Sequence, residues 1–136
     1  MEATYIHKIQ VPPTAIDANG HVNNVEFVRW MQEAAVAHSD AAGCTAATLA
    51  VGATWVIRSH SIEYLKPAFA GDYIEVRTSV ADFRRAFSHR RYEFVRPKDG
   101  VVLARGQTDW VYLDAATGRP RSIPEAIVAM FTATDS

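Results

Sequence analysis

With 136 residues, 49% of them hydrophobic and 21% charged, the chain has the length and composition of one folded globular domain. A formal net charge of −1 argues against a nucleic-acid-binding protein. No apolar run approaches the roughly 20 residues of a membrane span, and the start, MEATYIHKIQVPP, lacks a signal-peptide profile. Cys44 is the one cysteine, so no disulfide is predicted. We therefore expect a soluble, cytoplasmic, single-domain protein over residues 1–136, with neither nucleic acid nor membrane as a partner.

The first half of the chain contains a strand pattern followed by a helix pattern. The segment TYIHKIQV, residues 4–11, is rich in β-forming residues and ends at two prolines. After it, side chains recur at spacings of three and four, which places them on one helical face. They are Phe27, Val28, Met31, Ala34, Ala35 and His38. Asn23 or Asn24 is a suitable N-cap and Gly43 a suitable stop, so we expect one long helix of about five turns.

Strand patterns dominate the rest of the chain. Four segments are predicted to be strands, namely residues 54–65, 73–80, 86–96 and 101–113. In the last of them, Ala104, Gly106 and Thr108 lie on one face, where such small side chains allow a helix to approach closely. A short helix is predicted over residues 124–131, because Pro124 suits the first turn of a helix.

This order of elements predicts an α+β fold. Short turns such as PKDG, residues 97–100, join the strands and favour antiparallel pairing. One helix cannot bury both faces of five strands, so we expect the sheet to curl around the helix. The strand over residues 54–65 is expected at the sheet edge, where it would pair with its copy in a second chain.

The stretch DANGHVNN, residues 17–24, resembles a motif of the hotdog-fold acyl-CoA thioesterases, the group that includes 4-hydroxybenzoyl-CoA thioesterase. The matching positions are Asp17, Gly20, the HVNN of residues 21–24, Phe27, Glu33, and the segments 62–72 and 114–124. The resemblance covers nearly the whole chain. It implies a five-stranded antiparallel sheet wrapped around one long central helix. It also implies a homodimer or homotetramer with active sites near the subunit interface.

The motif has a chemical interpretation that does not depend on the resemblance. A helix N-terminus presents unpaired N–H groups and the positive end of the helix dipole, which stabilise a developing oxyanion. Gly20 allows a tight turn and a close approach of substrate. Asp17 would then act on a thioester as nucleophile, forming a mixed anhydride, or as general base on a water. The alternative is that Asp17 only forms the turn.

The resemblance assigns roles to two of these groups and suggests others. In the family, the carboxylate that matches Asp17 is catalytic, and the backbone N–H at the helix start, here Asn24, polarises the thioester carbonyl. His21 orients the substrate or the carboxylate, or is a structural residue beside the helix start. Asn23 is first a helix cap and second a substrate contact. Glu33 is either a further site carboxylate or a solvated helix residue.

Two basic residues at a hairpin are candidates for binding the nucleotide end of coenzyme A. Arg84 and Arg85 carry guanidinium groups, which bind phosphates through bidentate hydrogen bonds. The family often uses basic residues at this hairpin. The alternative is a solvated loop whose charges contribute to solubility.

These patterns predict an enzyme that hydrolyses an acyl-CoA thioester to a free acid and coenzyme A. No cofactor is expected beyond coenzyme A as part of the substrate, and the absence of HExxH and CxxC patterns predicts no metal. A hotdog hydratase or dehydratase is an alternative, but its pattern has a proline where Gly20 stands and a histidine five residues past the aspartate. A non-catalytic protein that binds an acyl thioester is the other alternative. The acyl group, and the choice between coenzyme A and acyl carrier protein, stay open.

Overall fold

The computed structural model describes residues 3–132. In chain order, the elements are β1 (Tyr5–Gln10), α1 (Asn24–Ala42), α2 (Cys44–Ala50), β2 (Ala53–Tyr64), β3 (Tyr73–Arg84), β4 (Phe87–Arg96), β5 (Val101–Asp114) and α3 (Glu125–Met130). The predicted domain, residues 1–136, also includes residues 1, 2 and 133–136, which lie outside the described part of the chain.

All five strands form one antiparallel sheet in the order β1-β3-β4-β5-β2. This confirms the predicted α+β class and antiparallel pairing. It also confirms that β2 lies at a sheet edge, since among residues 3–132 β2 pairs only with β5. Register shifts interrupt the β2–β5, β3–β4 and β4–β5 ladders, with the extra residue on β2, β3 and β5, respectively. Such irregularities increase the local twist, so they help the sheet to curl around the helix.

The long helix α1 packs on the inner face of this sheet through the apolar stripe that the sequence predicts. Phe27, Met31 and Ala34 are buried in the largest core cluster. At Gly106 on β5, an added Cβ would lie 2.8 Å from Cε of Met31. The small face predicted for β5 therefore leaves room for the side chain of Met31.

The helix α2 was not predicted, because only strand patterns were expected between α1 and the short helix over residues 124–131. Gly43 ends α1 in the left-handed conformation, with φ 88°, and its N–H bonds to the carbonyls of Ser39 and Asp40. A second helix of seven residues starts directly after it, and it buries only Cys44 and Thr48. Two buried residues in so short a segment give no helical periodicity that the sequence pattern could reveal. The prediction that this part of the chain contains only strands was therefore wrong.

Two basic side chains, one from α1 and one from β4, form a buried pair near the C-terminal end of α1. His38 is 5% exposed and Arg90, on β4, is 4% exposed. Nη1 of Arg90 lies 2.9 Å from Nδ1 of His38. Because a guanidinium only donates, the imidazole nitrogen accepts. Burial, together with the charge of Arg90, lowers the pKa of His38 to about 4, so the ring is neutral at pH 7.

This pair gives the stability a specific pH dependence. In the unfolded chain His38 takes up a proton near the ordinary histidine pKa of 6.5, whereas the folded chain resists protonation down to about 4. The free energy of unfolding should therefore decrease as the pH falls through this window. His38→Gln keeps an acceptor for Arg90 and should reduce this decrease. Urea unfolding of both proteins between pH 7 and pH 4 measures the difference, and parallel curves would contradict a neutral His38.

Candidate active site

The DANGHVNN motif folds as a small hairpin that leads into the start of α1. Ile16 and Val22 form an isolated antiparallel bridge. Between them, the N–H of Asp17 donates to the carbonyl of His21 and the N–H of Gly20 donates to the carbonyl of Asp17, both at 3.0 Å. Gly20 has φ 82°, a conformation that other residues rarely adopt. The turn thus places Asp17 and His21 opposite each other just before the helix.

The two carboxylate oxygens of Asp17 differ in their hydrogen bonds within the described chain. Its Oδ1 accepts a hydrogen bond of 2.8 Å from the N–H of Asn19, which is the local bond expected of a turn-forming aspartate. No donor within residues 3–132 bonds its Oδ2. The side chain is half-buried. Asp17 therefore does stabilise the turn, and one of its oxygens is still available for chemistry.

The backbone donors at the start of α1 differ in their partners within residues 3–132. Asn23 is the N-cap, since its Oδ1 accepts from the N–H of Val25 at 3.0 Å. The backbone carbonyl of Asn23 accepts from the N–H of Glu26. In the described part of the chain, the N–H of Asn24 has no acceptor. The predicted capping role of Asn23 is thus confirmed, whereas its contact with substrate stays a prediction.

Tyr64, at the end of β2, fixes the first residue of the helix. Its hydroxyl donates to the backbone carbonyl of Asn24 at 3.0 Å. Desolvation raises the pKa of Tyr64, which keeps the hydroxyl a donor. The ring also packs edge-on against Phe27, with centroids 5.5 Å apart. The sequence assigned no role to Tyr64, although it lies in the matching segment 62–72, because its partner is 40 positions away.

A cleft of about 250 Å³ opens at this helix start. Its lining consists of His21, Val22, Asn24, Phe27, Tyr64, Leu65, Lys66 and Pro67. The ring of His21 packs edge-on against Phe69, with centroids 5.9 Å apart. Asp17 is not part of this lining. Its backbone N–H donates a hydrogen bond to the carbonyl of His21, and His21 does line the cleft. The structure thus joins Asp17 to His21 through the backbone and places His21 and Asn24 in the same cleft.

Glu33 lies elsewhere. It is nine positions after Asn24 on α1, or about 13 Å along the helix. Its Oε2 is 3.9 Å from Nε2 of His7 on β1, and its side chain is 49% exposed. Glu33 therefore faces the β1 side of the helix and is a partly solvated carboxylate, in agreement with one of the two interpretations of the sequence.

Arg84 and Arg85 occupy the hairpin between β3 and β4. Nε of Arg84 donates to Oδ2 of Asp82 at 2.8 Å, and the Arg84 side chain is 85% exposed. Arg85 has φ 54°, and its carbonyl accepts a hydrogen bond from the N–H of Ile123. The guanidinium groups are thus held near the surface by a strained turn.

Within one chain, this hairpin is far from the cleft. Phe94 on β4 contacts Phe27 near the helix start, with ring centroids 5.1 Å apart. Phe87 is seven positions earlier on the same strand, which corresponds to about 23 Å, and it directly follows the hairpin. The structure therefore does not bring Arg84 and Arg85 next to Asp17 of their own chain.

One polar cluster outside the predicted site has the composition of a catalytic triad but not its geometry. On the outer sheet face, Asp109 accepts from the hydroxyl of Ser59 at 3.0 Å, and its other oxygen lies 2.7 Å from Nδ1 of His89. The hydrogen bond with His89 is the main cause that lowers the pKa of Asp109. The carboxylate lies between the other two groups, so the imidazole has no bond to the serine hydroxyl. The cluster therefore lacks the serine–histidine contact of a triad.

Neither a metal site nor a membrane helix is found in the described residues. No group of three or more His, Cys, Asp or Glu residues within 3–132 is placed to hold a metal ion. Across the same residues, no helix has both the length and the apolar character that crossing a bilayer requires.

Comparison with known proteins identifies the family. A family model described as the thioesterase-like superfamily matches residues 11–131. The chain belongs to this superfamily. A curated relative is Protein THEM6 of Danio rerio, which is 29% identical over 84 residues. These residues cover 62% of the chain but only 42% of that relative, so the chain spans less than half of its length.

Solved structures of thioesterases share the fold. The 1,4-dihydroxy-2-naphthoyl-CoA thioesterase Slr0204 from Synechocystis superposes with a TM-score of 0.85 at 21% identity, covering 94% of this chain and 95% of that one. The probable thioesterase YbaW from Escherichia coli has a TM-score of 0.85 at 18% identity, with coverages of 92% and 94%. The Staphylococcus aureus protein SAV2348, solved in complex with CoA, has a TM-score of 0.84 at 15% identity, with coverages of 96% and 82%. The predicted hotdog fold and family are thus confirmed.

The conformation of Gly20 can be tested against a glycine outside the site. Gly20 and Gly118 have φ 82° and 71°, and an added Cβ would meet no atom within 4 Å at either position. Each alanine substitution should therefore lower the free energy of unfolding by a similar amount, about 1–2 kcal/mol. Only Gly20→Ala should also reduce kcat/KM for a thioester, because only it distorts the loop of Asp17. Urea unfolding and a thiol-release assay measure both effects, and equal activities would contradict a role of this turn in the site.

Proposed function

We propose that the protein hydrolyses an acyl-CoA thioester to a free acid and coenzyme A, with the start of α1 as the oxyanion site. The observation that carries this proposal is the N–H of Asn24, which lacks an acceptor in the described chain and belongs to a residue that lines the cleft. Membership in the thioesterase-like superfamily supports the same reaction class.

The first step of the proposed reaction is polarisation of the thioester. The carbonyl oxygen of the substrate accepts from the N–H of Asn24, at the positive end of the helix dipole. This N–H has no other partner in the described chain. It can therefore bind the developing oxyanion without first breaking a hydrogen bond to another described residue. The bond from Tyr64 to the carbonyl of Asn24 fixes the peptide that follows it. The site is therefore preorganised for a negative charge.

The second step uses Asp17. With Oδ1 held by the N–H of Asn19, Oδ2 is the oxygen that reacts. As nucleophile, Oδ2 attacks the thioester carbon, the C–S bond breaks, and the thiolate of coenzyme A leaves; water then hydrolyses the mixed anhydride. As general base, Oδ2 takes a proton from a water that attacks the same carbon. Both routes consume one water and give the free acid and coenzyme A.

The nucleotide end of coenzyme A would be bound by a neighbouring chain. The free edge of β2 is twelve residues long and exposes Val56 and Tyr64, which suits pairing with a second copy. Antiparallel pairing about a two-fold axis would place the start of one β2 beside the end of the other. Tyr64 of one chain, at its cleft, would then adjoin the region of Ala53 in its partner.

This pairing would move the hairpin arginines towards the cleft of the other chain. Across the sheet, Val56 pairs with Val111, Val111 with Phe87, and Phe87 with Arg84. Arg84 therefore lies three strand spacings, or about 14 Å, from the start of β2. That separation is within reach of an extended coenzyme A whose thioester lies at the partner's helix. Each proposed site thus combines Asp17 of one chain with Arg84 and Arg85 of the other.

Asp17→Asn tests the proposed chemistry. The amide keeps the size and the Oδ1 acceptor but removes the charge, so kcat should fall by about 10² to 10⁴ while stability changes little. Asp114→Asn is a matched control, because Oδ1 of Asp114 accepts from a backbone N–H two residues on, at 3.0 Å, in the same kind of turn. It should retain activity. Near-native kcat in a folded Asp17→Asn protein, checked by its melting curve, would show that Asp17 is only a turn former.

Mixed dimers test the division of the site between chains. One chain carries Asp17→Asn, and the other carries Arg84→Ala with Arg85→Ala. At subsaturating acyl-CoA each parent should be impaired, whereas one of the two sites in a mixed dimer would have all three wild-type residues. Mixing should therefore restore activity. The arginine variant alone should keep its kcat on a short pantetheine thioester, because contacts with remote phosphates contribute mainly to binding.

Two results would contradict this division. The first is an active monomer in sedimentation. The second is a mixed dimer, verified by native mass spectrometry, that has no more activity than its parents. In either case, the arginines serve their own chain or have no role in binding.

A further inference from the structure

A second cavity, of about 240 Å³, lies at the other end of α1. Its walls include Ala35, Trp55, Val80 and Phe131, which are contributed by α1, β2, β3 and the segment after α3. Val36 and Leu49, which also line it, are 52% and 71% exposed and form an apolar rim. The cavity reaches Arg90, whose guanidinium donates to His38. His38 is fourteen positions after Asn24 on α1, so this cavity lies about 21 Å along the helix from the cleft of the same chain.

The polar feature that distinguishes this cavity is the guanidinium of Arg90. Only 4% of the residue is exposed, and it lines the cavity. Its Nη1 donates to Nδ1 of His38 at 2.9 Å and to the hydroxyl of Thr78 at 3.2 Å. In residues 3–132, no hydrogen bond engages Nε or Nη2. One edge of the guanidinium thus has no partner in the described chain.

The charge of Arg90 is not neutralised by its surroundings. No Asp or Glu within the described residues lines the cavity, and none of the ion pairs in the described chain includes Arg90. His38 and Thr78 are neutral partners. The ring of Phe131, whose centroid is 5.5 Å from Cζ, compensates the charge only in part. Taking an isolated charge out of water is strongly unfavourable unless an opposite charge pairs with it.

We propose that this cavity binds the carboxylate of a small organic acid with an apolar body. The planar guanidinium fork matches a carboxylate through two parallel hydrogen bonds. The apolar walls would cover the body of the acid, which a bare inorganic anion lacks. The hydroxyl of Ser88 also lines the cavity and supplies a further donor, whereas the hydroxyl of Thr45, which lines it too, already donates to Asp40. The ligand is therefore an amphipathic acid with its charged end at Arg90.

Such a carboxylate has two possible sources. It belongs to a free acid, or it is the distal carboxylate of an acyl group whose thioester lies in a partner's cleft. The second source rests on the proposed function and on pairing through β2, since Thr54 and Trp55 at the start of β2 line the cavity. The first source depends on neither.

The binding experiment compares ligands and variants. Hexanoate and its neutral analogue hexanamide are titrated into the full chain by calorimetry, with thermal melting in parallel. The wild type should bind hexanoate at least about tenfold more tightly than hexanamide. Arg90→Met should lose that preference, because it removes the guanidinium fork and its charge. Arg91→Met, on the opposite and exposed side of β4, is the matched control and should bind as the wild type does.

The second arm measures kcat/KM for adipoyl-CoA and hexanoyl-CoA, which differ by the distal carboxylate. If the acyl group is the source, Arg90→Met should reduce kcat/KM for adipoyl-CoA at least about tenfold and spare hexanoyl-CoA. A wild type inactive on both substrates would count against the proposed function alone, and calorimetry would then decide whether the cavity binds a carboxylate.

Should Arg90→Met fail to fold, Arg90→Lys is used instead, because it keeps the charge but lacks the planar guanidinium fork. The proposal is overturned if Arg90 affects neither the hexanoate preference nor the adipoyl-CoA preference.

Discussion

The packing of Met31 on the bare backbone of Gly106 connects the core of the structure with the cleft at the start of α1. A side chain at position 106 would meet the end of Met31, so the glycine leaves room for this side chain between α1 and β5. Gly106 pairs with Ile62 on β2, two residues before Tyr64. From the same strand, the hydroxyl of Tyr64 donates to the carbonyl of Asn24, the first residue of the helix. The strands that pack against Met31 thus also hold the residue that carries the proposed oxyanion donor.

The two ends of α1 differ in their electrostatics, and each end has its own cavity. At the N-terminus, Asn24, whose N–H has no acceptor in the described chain, lines a cleft where the helix dipole would stabilise an anion. Near the C-terminus, the sheet contributes a full positive charge, Arg90, and the helix contributes a neutral His38. Both places therefore favour negative charge, but only the second contains a full charge that is buried away from water.

Local patterns predicted the parts of this structure that depend on local physics. The apolar spacing of α1, the strand alternation, the cap at Asn23 and the motif around Asp17 are all visible in short windows. The position of Arg90 was not predictable in this way, because a charged residue on a strand is expected at the surface. Only the pairing of β4 between β3 and β5 shows that its side chain points inward. Tyr64 is similar, since its function depends on a contact across 40 positions.

The helix α2, which sequence patterns missed, shows why the edge strand matters for both cavities. Nε1 of Trp55 on β2 donates to the hydroxyl of Thr48 on α2 at 3.1 Å, which closes one wall of the Arg90 cavity. The opposite end of the same strand provides Tyr64 to the cleft. A single strand with a register shift between Ile57 and Ser59 thus forms part of both walls. Because that strand also has the free edge, a second chain paired there would contact the rim of both cavities at once.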